Sequence, residues 1–170
     1  FDCSDLVGTH IVTLTATDVA GNMATCTSVI DVVDNLVPQV LCPGSKTVTT
    51  NLGCQADNVA GIGMVLGVSP LTPGQYLDNC PGANVAWQLT GATTGSGPGS
   101  VPPSQAFNTG VTTVTYTVAD MSGNAAVCNF SINVTDNTPP DWTGVGQAPN
   151  STITQNANLG GCTAQVSWVA

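Results

Sequence analysis

GVTTVTYTVADMSGNAAVCNFSINVTDNTPP, residues Gly110 to Pro140, decides how this chain folds. Val114, Tyr116 and Val118 alternate with Thr113, Thr115 and Thr117, a period of two that gives a strand one apolar and one hydroxylated face. The β-branched residues suit a pleated, half-buried surface. Asp120-Met121-Ser122-Gly123-Asn124 predicts a turn, because Asp, Gly and Asn tolerate tight or left-handed backbone. The return arm sets Cys128, Phe130, Ile132 and Val134 on one face and Asn129, Ser131 and Asn133 on the other. Asp136-Asn137-Thr138-Pro139-Pro140 ends the strand, since proline has no N–H to give to a ladder.

A near copy, GTHIVTLTATDVAGNMATCTSVIDVVDNLVP, runs from Gly8 to Pro38 and aligns without a gap at an offset of 102 residues. Asp18 matches Asp120, Gly21-Asn22 matches Gly123-Asn124, and Cys26 matches Cys128. Asp34-Asn35 matches Asp136-Asn137, and Pro38 matches Pro140. Such a period signals an array of modules. Residues 38–137 then form one complete repeat. Residues 1–37 are the C-terminal part of a preceding repeat, and 138–170 the N-terminal part of a following one. About 100 residues is an ordinary size for a β-sandwich with its own core. Because the ends fall inside modules, the expectation is a window on a longer array.

The combination of a Thr-rich strand, D-x-x-G-N, an apolar strand with one Cys, and V-x-D-N-x-x-P resembles the hyalin repeat (HYR) family. Leu41-Cys42-Pro43 and Asp78-Asn79-Cys80 look like that family too, and the resemblance covers nearly the whole chain. It implies an all-β fold of tandem immunoglobulin-like β-sandwich modules, disulfide-bonded, one complete module flanked by two partial ones. It also implies a secreted or cell-surface protein, and a bacterial source is expected.

The charge balance excludes several function classes. One Lys, Lys46, and no Arg stand against ten acidic residues, for a net charge of −9. Nothing on such a surface neutralises phosphates, so no nucleic-acid partner is expected, nor docking on anionic membranes. Only 6% of residues are charged, where a soluble domain carries about a quarter. Thr, Ser, Asn, Gln and Gly do the solvating, which suits a rigid exterior fibre. No signal peptide or 18-residue apolar run occurs, so direct membrane insertion is not expected.

Seven cysteines at matching strand positions read as an oxidised framework. No CxxC pair exists, and a lone His cannot complete a zinc site. Cysteines 42, 54, 80 and 128 fall in the complete module and allow three connectivities. The favoured pairing is Cys42–Cys128 with Cys54–Cys80. The third module keeps Cys162, the counterpart of Cys54, but has no counterpart of Cys42, so Cys42 and Cys54 belong to separate pairs. Cys128 faces inward on the last strand, where an opening strand would come close. Cys3, Cys26 and Cys162 are expected to pair outside this window.

Between these landmarks, Thr47–Thr50 and Val85–Leu89 read as strands, and Asn58–Pro73 as irregular. Gly91–Gln105, GATTGSGPGSVPPSQ, reads as a flexible surface loop. Trp87 and Trp168 are expected in sandwich cores, and Trp142, just past a linker, between modules.

No catalytic constellation is present. The only His, His10, corresponds to Thr112 in the second copy, so the repeat does not need it. The acids sit in turns and linkers that recur with the repeat, and no phosphate loop or dinucleotide fingerprint occurs. The chain is not expected to be an enzyme or to carry a cofactor, with calcium the one exception left open. The Asp-Asn-x-x-Pro linker is similar to cadherin linkers, which bind calcium between modules. Candidate oxygen ligands are Asp34, Asn35, Asp136 and Asn137, with Asp18 and Asp120 from the hairpin turns. The competing reading, favoured by sparse carboxylates and the lack of EF-hand spacing, is that these residues bond their own backbone in turns. Asn129, Asn133 and Asn150 each begin an N-x-S/T glycosylation pattern.

Two function classes follow. In the first, the chain is a structural segment of an extracellular fibre, stalk or surface filament, its partners neighbouring repeats or identical subunits. In the second, it is an adhesin module in which the Gly91–Gln105 loop and the acidic turns bind glycans or a partner cell surface.

Overall fold

The computed structural model describes residues 1–139. A 3-10 turn, Cys3–Asp5, leads into β1 (Thr9–Thr17) and β2 (Met23–Asp31), an antiparallel pair that joins no other strand among the described residues. After the linker come β3 (Gln39–Leu41), β4 (Lys46–Thr49), β5 (Gln55–Ala56), β6 (Val65–Leu66) and β7 (Gln75–Leu77). β8 (Asn84–Gly91), β9 (Gly95–Pro98), β10 (Phe107–Asn108), β11 (Gly110–Ala119) and β12 (Ala125–Thr135) complete the order.

Two sheets make an immunoglobulin-like sandwich. The larger runs β4-β12-β11-β8-β9 and the smaller β3-β7-β6, with β5 and β10 paired alongside. The opening strand is split between the sheets. β3 lies antiparallel to β7, whereas β4 crosses over and runs parallel to the last strand, β12. A Cys42–Cys128 disulfide follows from that crossing, because Cys42 directly succeeds β3 and Cys128 lies on β12. The bond ties the small sheet to the large one.

The alternation read in Gly110–Pro140 is the core. Val114, Tyr116, Val118, Cys128, Ile132 and Val134 are buried, with Phe130 nearly so, while the Thr and Asn residues between them face outward or lie half-buried. Val40 and Tyr76 of the small sheet pack against this cluster, and Phe107 closes one side of it with no exposure. The hydroxyl of Tyr116 donates to the Ile62 carbonyl at 2.8 Å and accepts from the Val101 N–H at 3.0 Å, pinning two connecting segments to the sheet.

The first hairpin has the same register without the cover. Leu14 faces Cys26 as Tyr116 faces Cys128. Its core-facing side chains are nonetheless open: Val12 is 42% exposed and Leu14 68%, where Val114 and Tyr116 are fully buried. The same sequence pattern thus yields the same local pairing, and only the neighbours decide burial.

Three expectations need correction. Cys80 pairs with Cys3, not with Cys54. Cys3 therefore does not pair outside the window, but bonds the first segment to the complete module across 77 residues. Cys54 is itself disulfide-bonded, but not to Cys80, and Cys26 is free and exposed. The Gly91–Gln105 stretch is not a loose loop, since β9 pairs with β8 and Val101 is buried. Its glycines permit this: a Cβ on Gly97 would meet the Trp87 ring at 3.0 Å, and one on Gly95 at 3.3 Å. Trp87 itself is half-buried, laid over β9 at the edge of the core. Trp142, Trp168, Asn150 and Cys162 lie outside the described residues.

Candidate functional site

The segment between β2 and β3, the loop after β7 and the β11–β12 turn meet at one end of the sandwich. They bring Asp34, Asp78 and Asp120 together. One carboxylate oxygen from each lies within 4.8 Å of the others, and this is the one such group of three acidic, His or Cys side chains among the described residues.

Each aspartate is positioned by its own local structure. Asp120 is buried and caps its turn: Oδ1 accepts from the Asn124 N–H at 2.8 Å and Oδ2 from Asn124 Nδ2 at 2.7 Å. That amide also reaches across the junction to the Asp34 carbonyl, at 3.1 Å. Asp34 Oδ1 accepts from the Leu36 N–H and from Asn79 Nδ2, both at 3.1 Å. Asp78 Oδ2 accepts from the Cys80 N–H at 3.4 Å. The remaining oxygens, Asp34 Oδ2 and Asp78 Oδ1, are buried and accept no hydrogen bond. A cleft lined by Cys3, Val33, Asp34, Leu36, Asn79 and Cys80 opens on the same junction, beside the Cys3–Cys80 bond.

The electrostatics are one-sided. Burial pushes the Asp120 carboxyl up, but the Asn124 side chain and the N–H groups of Asn124, Ser122 and Gly123 outweigh it and hold the group below the usual aspartate value. No basic side chain answers these carboxylates: Lys46 is on β4, and His10 stands 3.9 Å from Asp5 with its Nε2 2.7 Å from the Asp5 carbonyl. The donor set is oxygen alone, because both nearby sulfurs are locked in a disulfide. It suits a hard cation rather than a thiolate-loving metal.

Of the residues the sequence singles out as oxygen ligands, Asp34 and Asp120 come together here. Asn35 is exposed beside Asp34. Asp18 sits at the exposed β1–β2 turn, where it holds the Asn22 N–H at 2.8 Å and Asn22 Nδ2 at 2.7 Å, as Asp120 holds Asn124. Asp136 and Asn137 follow β12 at another end of the module, with Asp136 accepting from the Thr138 N–H and Thr50 Oγ1. Asp78 is not among the oxygen ligands that the sequence singles out. The available signal was the dipeptide: Asp78-Asn79 repeats the Asp-Asn of both linkers.

Residues 79–134 match the HYR domain model. The chain is 33% identical over 162 residues to the hyalin of Lytechinus variegatus, an alignment covering 91% of this chain and 26% of the relative. The hyalin of Strongylocentrotus purpuratus is equally similar over the same length, 11% of that relative. A stretch of 70 residues, 35% of this chain, is 43% identical to 2% of the mouse sushi, von Willebrand factor type A, EGF and pentraxin domain-containing protein 1. The chain thus spans about a quarter of one hyalin and about a tenth of the other. No solved structure matches. These findings support a HYR-type module. They do not support the expected bacterial source, because the relatives are animal proteins.

Asn129 is exposed on β12, whereas Asn133 is half-buried where β12 runs against β4, facing Thr47 in the ladder. Among the described residues, no helix is long and apolar enough to cross a membrane.

Proposed function

We propose that the chain is a non-enzymatic structural segment of an extracellular fibre or stalk of tandem HYR-type repeats. The observation that carries this reading is the first hairpin. It reproduces the β11–β12 pairing residue for residue, and is fastened to the next module by a short linker and the Cys3–Cys80 bond. A hairpin of this pattern is stable in the complete module because strands flank both its edges. The disulfides favour an oxidising compartment, and the near absence of Lys and Arg suits an exposed, durable surface. Neighbouring repeats of the same array are the partners this arrangement fits.

Electron microscopy of the native material tests the reading. A filament or stalk of regularly spaced beads, about 100 residues each, is expected; single compact particles would refute it. The adhesive alternative draws on the HYR-type relatives and on the acidic turns. It predicts that the oxidised chain binds glycans or cells in a saturable way, and its expected loop is weakened as a binding surface by the pairing of β9 with β8.

A further inference from the structure

We infer that Asp34, Asp78 and Asp120 form a binding site for a hard divalent cation of the calcium type, placed across the junction between consecutive repeats. Two independent observations converge. Three carboxylates crowd within 4.8 Å with no basic side chain to balance them. In addition, two oxygens that face no donor, Asp34 Oδ2 and Asp78 Oδ1, are shut off from solvent. A buried carboxylate oxygen without a partner is costly, and two of them beside a third charge more so. A cation supplies the missing partner to both at once.

The geometry favours calcium over magnesium. Three carboxylates can offer mono- or bidentate oxygens in an irregular set, which calcium accepts with six to eight ligands. Magnesium needs a near-ideal octahedron and releases its water reluctantly. The carboxylates are also oriented from behind. Asn79 holds Asp34 Oδ1, and Asn124 holds both Asp120 oxygens and the Asp34 carbonyl. Asp120 can accept those bonds and still ligate, because each carboxylate oxygen has two lone-pair directions.

The ligands come from both sides of the joint. Asp34 precedes the linker proline, Pro38, while Asp78 and Asp120 belong to the module beyond it. By the 102-residue offset, Asp136 is the counterpart of Asp34 at the following joint, and Asp18 that of Asp120 at the preceding one. Each repeat therefore gives carboxylates to the joint before it and one to the joint after it, and an ion at each joint would lock neighbours in a fixed orientation.

The test is calcium titration of the oxidised chain by calorimetry, paired with thermal melting in calcium and in EGTA. Saturable binding is expected, with magnesium weaker. Asp34→Asn and Asp78→Asn should each weaken binding by more than about tenfold, the loss that even outer-shell changes around a metal commonly cause, while Asp136→Asn keeps it. Melting gives a second readout with opposite signs. In EGTA, the Asp34→Asn/Asp78→Asn variant should melt no lower than the unaltered chain, because like-charge repulsion is relieved; in calcium it should melt lower. No saturable calcium binding by the unaltered chain, or binding that survives the double substitution in a protein retaining its β-rich circular dichroism, would overturn the site.

Discussion

Tyr116→Phe isolates a single hydroxyl in the middle of the sandwich. The ring has no exposure and stacks on Phe130 with centroids 6.2 Å apart, so the substitution keeps the volume and the ring contact. It removes the oxygen that accepts from the Val101 N–H at 3.0 Å and donates to the Ile62 carbonyl at 2.8 Å. Both residues are buried, at 3% and 4% exposure, so the two orphaned groups have no easy route to water. Each unsatisfied buried group costs roughly 1–3 kcal/mol, which for two groups sets the expected loss at about 2–6 kcal/mol. For a module of about 100 residues, where each kcal/mol moves Tm by about 4–8 °C, that corresponds to a fall of about 10 °C or more. Urea unfolding of the oxidised protein, followed by circular dichroism, measures it, and the m-value should stay constant because the exposed area is unchanged. Tyr76→Phe on the half-buried ring of β7 is the control for deleting a phenolic oxygen. A loss below about 0.5 kcal/mol, the size of a neutral surface change, would show that the hydroxyl does not bridge the two segments.

The same phenol predicts an alkaline limit. Burial raises its pKa above 10.0, an effect the Val101 and Ser100 hydrogen bonds only partly offset, so the folded state keeps a proton that the unfolded state gives up. Its contribution is complete below the unfolded value and declines as pH rises from there through the folded one; tyrosinate absorbance and melting curves in that range should show it, and Tyr116→Phe should remove it. Replacing both Cys42 and Cys128 by Ala opens a loop spanning 86 positions and should cost about 4–5 kcal/mol on the chain-entropy account, read by urea unfolding. Gly91→Ala should lose more than about 1 kcal/mol, because Gly91 has φ +102° and an added Cβ would strike the Val111 carbonyl. Gly99→Ala, at φ +72° in open space, should lose less.

What the sequence made legible was local. The period of two from Val114 to Val118, the turn at Asp120–Asn124 and the stop after Thr135 are all where alternation and turn chemistry put them. The inward position of Cys128 was legible for the same reason. The Cys3–Cys80 bond was not, because it links cysteines 77 positions apart, and reasoning about occupancy among cysteines 42, 54, 80 and 128 cannot see a partner outside that set. Gly91–Gln105 misled through composition. Glycine usually signals flexibility, but here it admits the Trp87 ring against β9, so small size rather than freedom is what the positions require. Of the carboxylate cluster, Asp34 and Asp120 were visible as recurring turn acids, while Asp78 needed the small sheet to fold before it met them.

The two copies of the hairpin separate what a turn does from what a site does. Asp18 and Asp120 make the same pair of bonds to the asparagine four residues on, at 2.8 Å and 2.7 Å in both copies, although one turn is exposed and the other buried. Those bonds therefore belong to the local sequence and say nothing of a ligand. What distinguishes Asp120 is its company: Asp34 from across the linker and Asp78 from a different sheet, each with a buried oxygen turned to no donor. A turn motif satisfies itself, whereas Asp34 and Asp78 each keep a buried oxygen without a donor, and that difference is the ground for proposing a bound cation there.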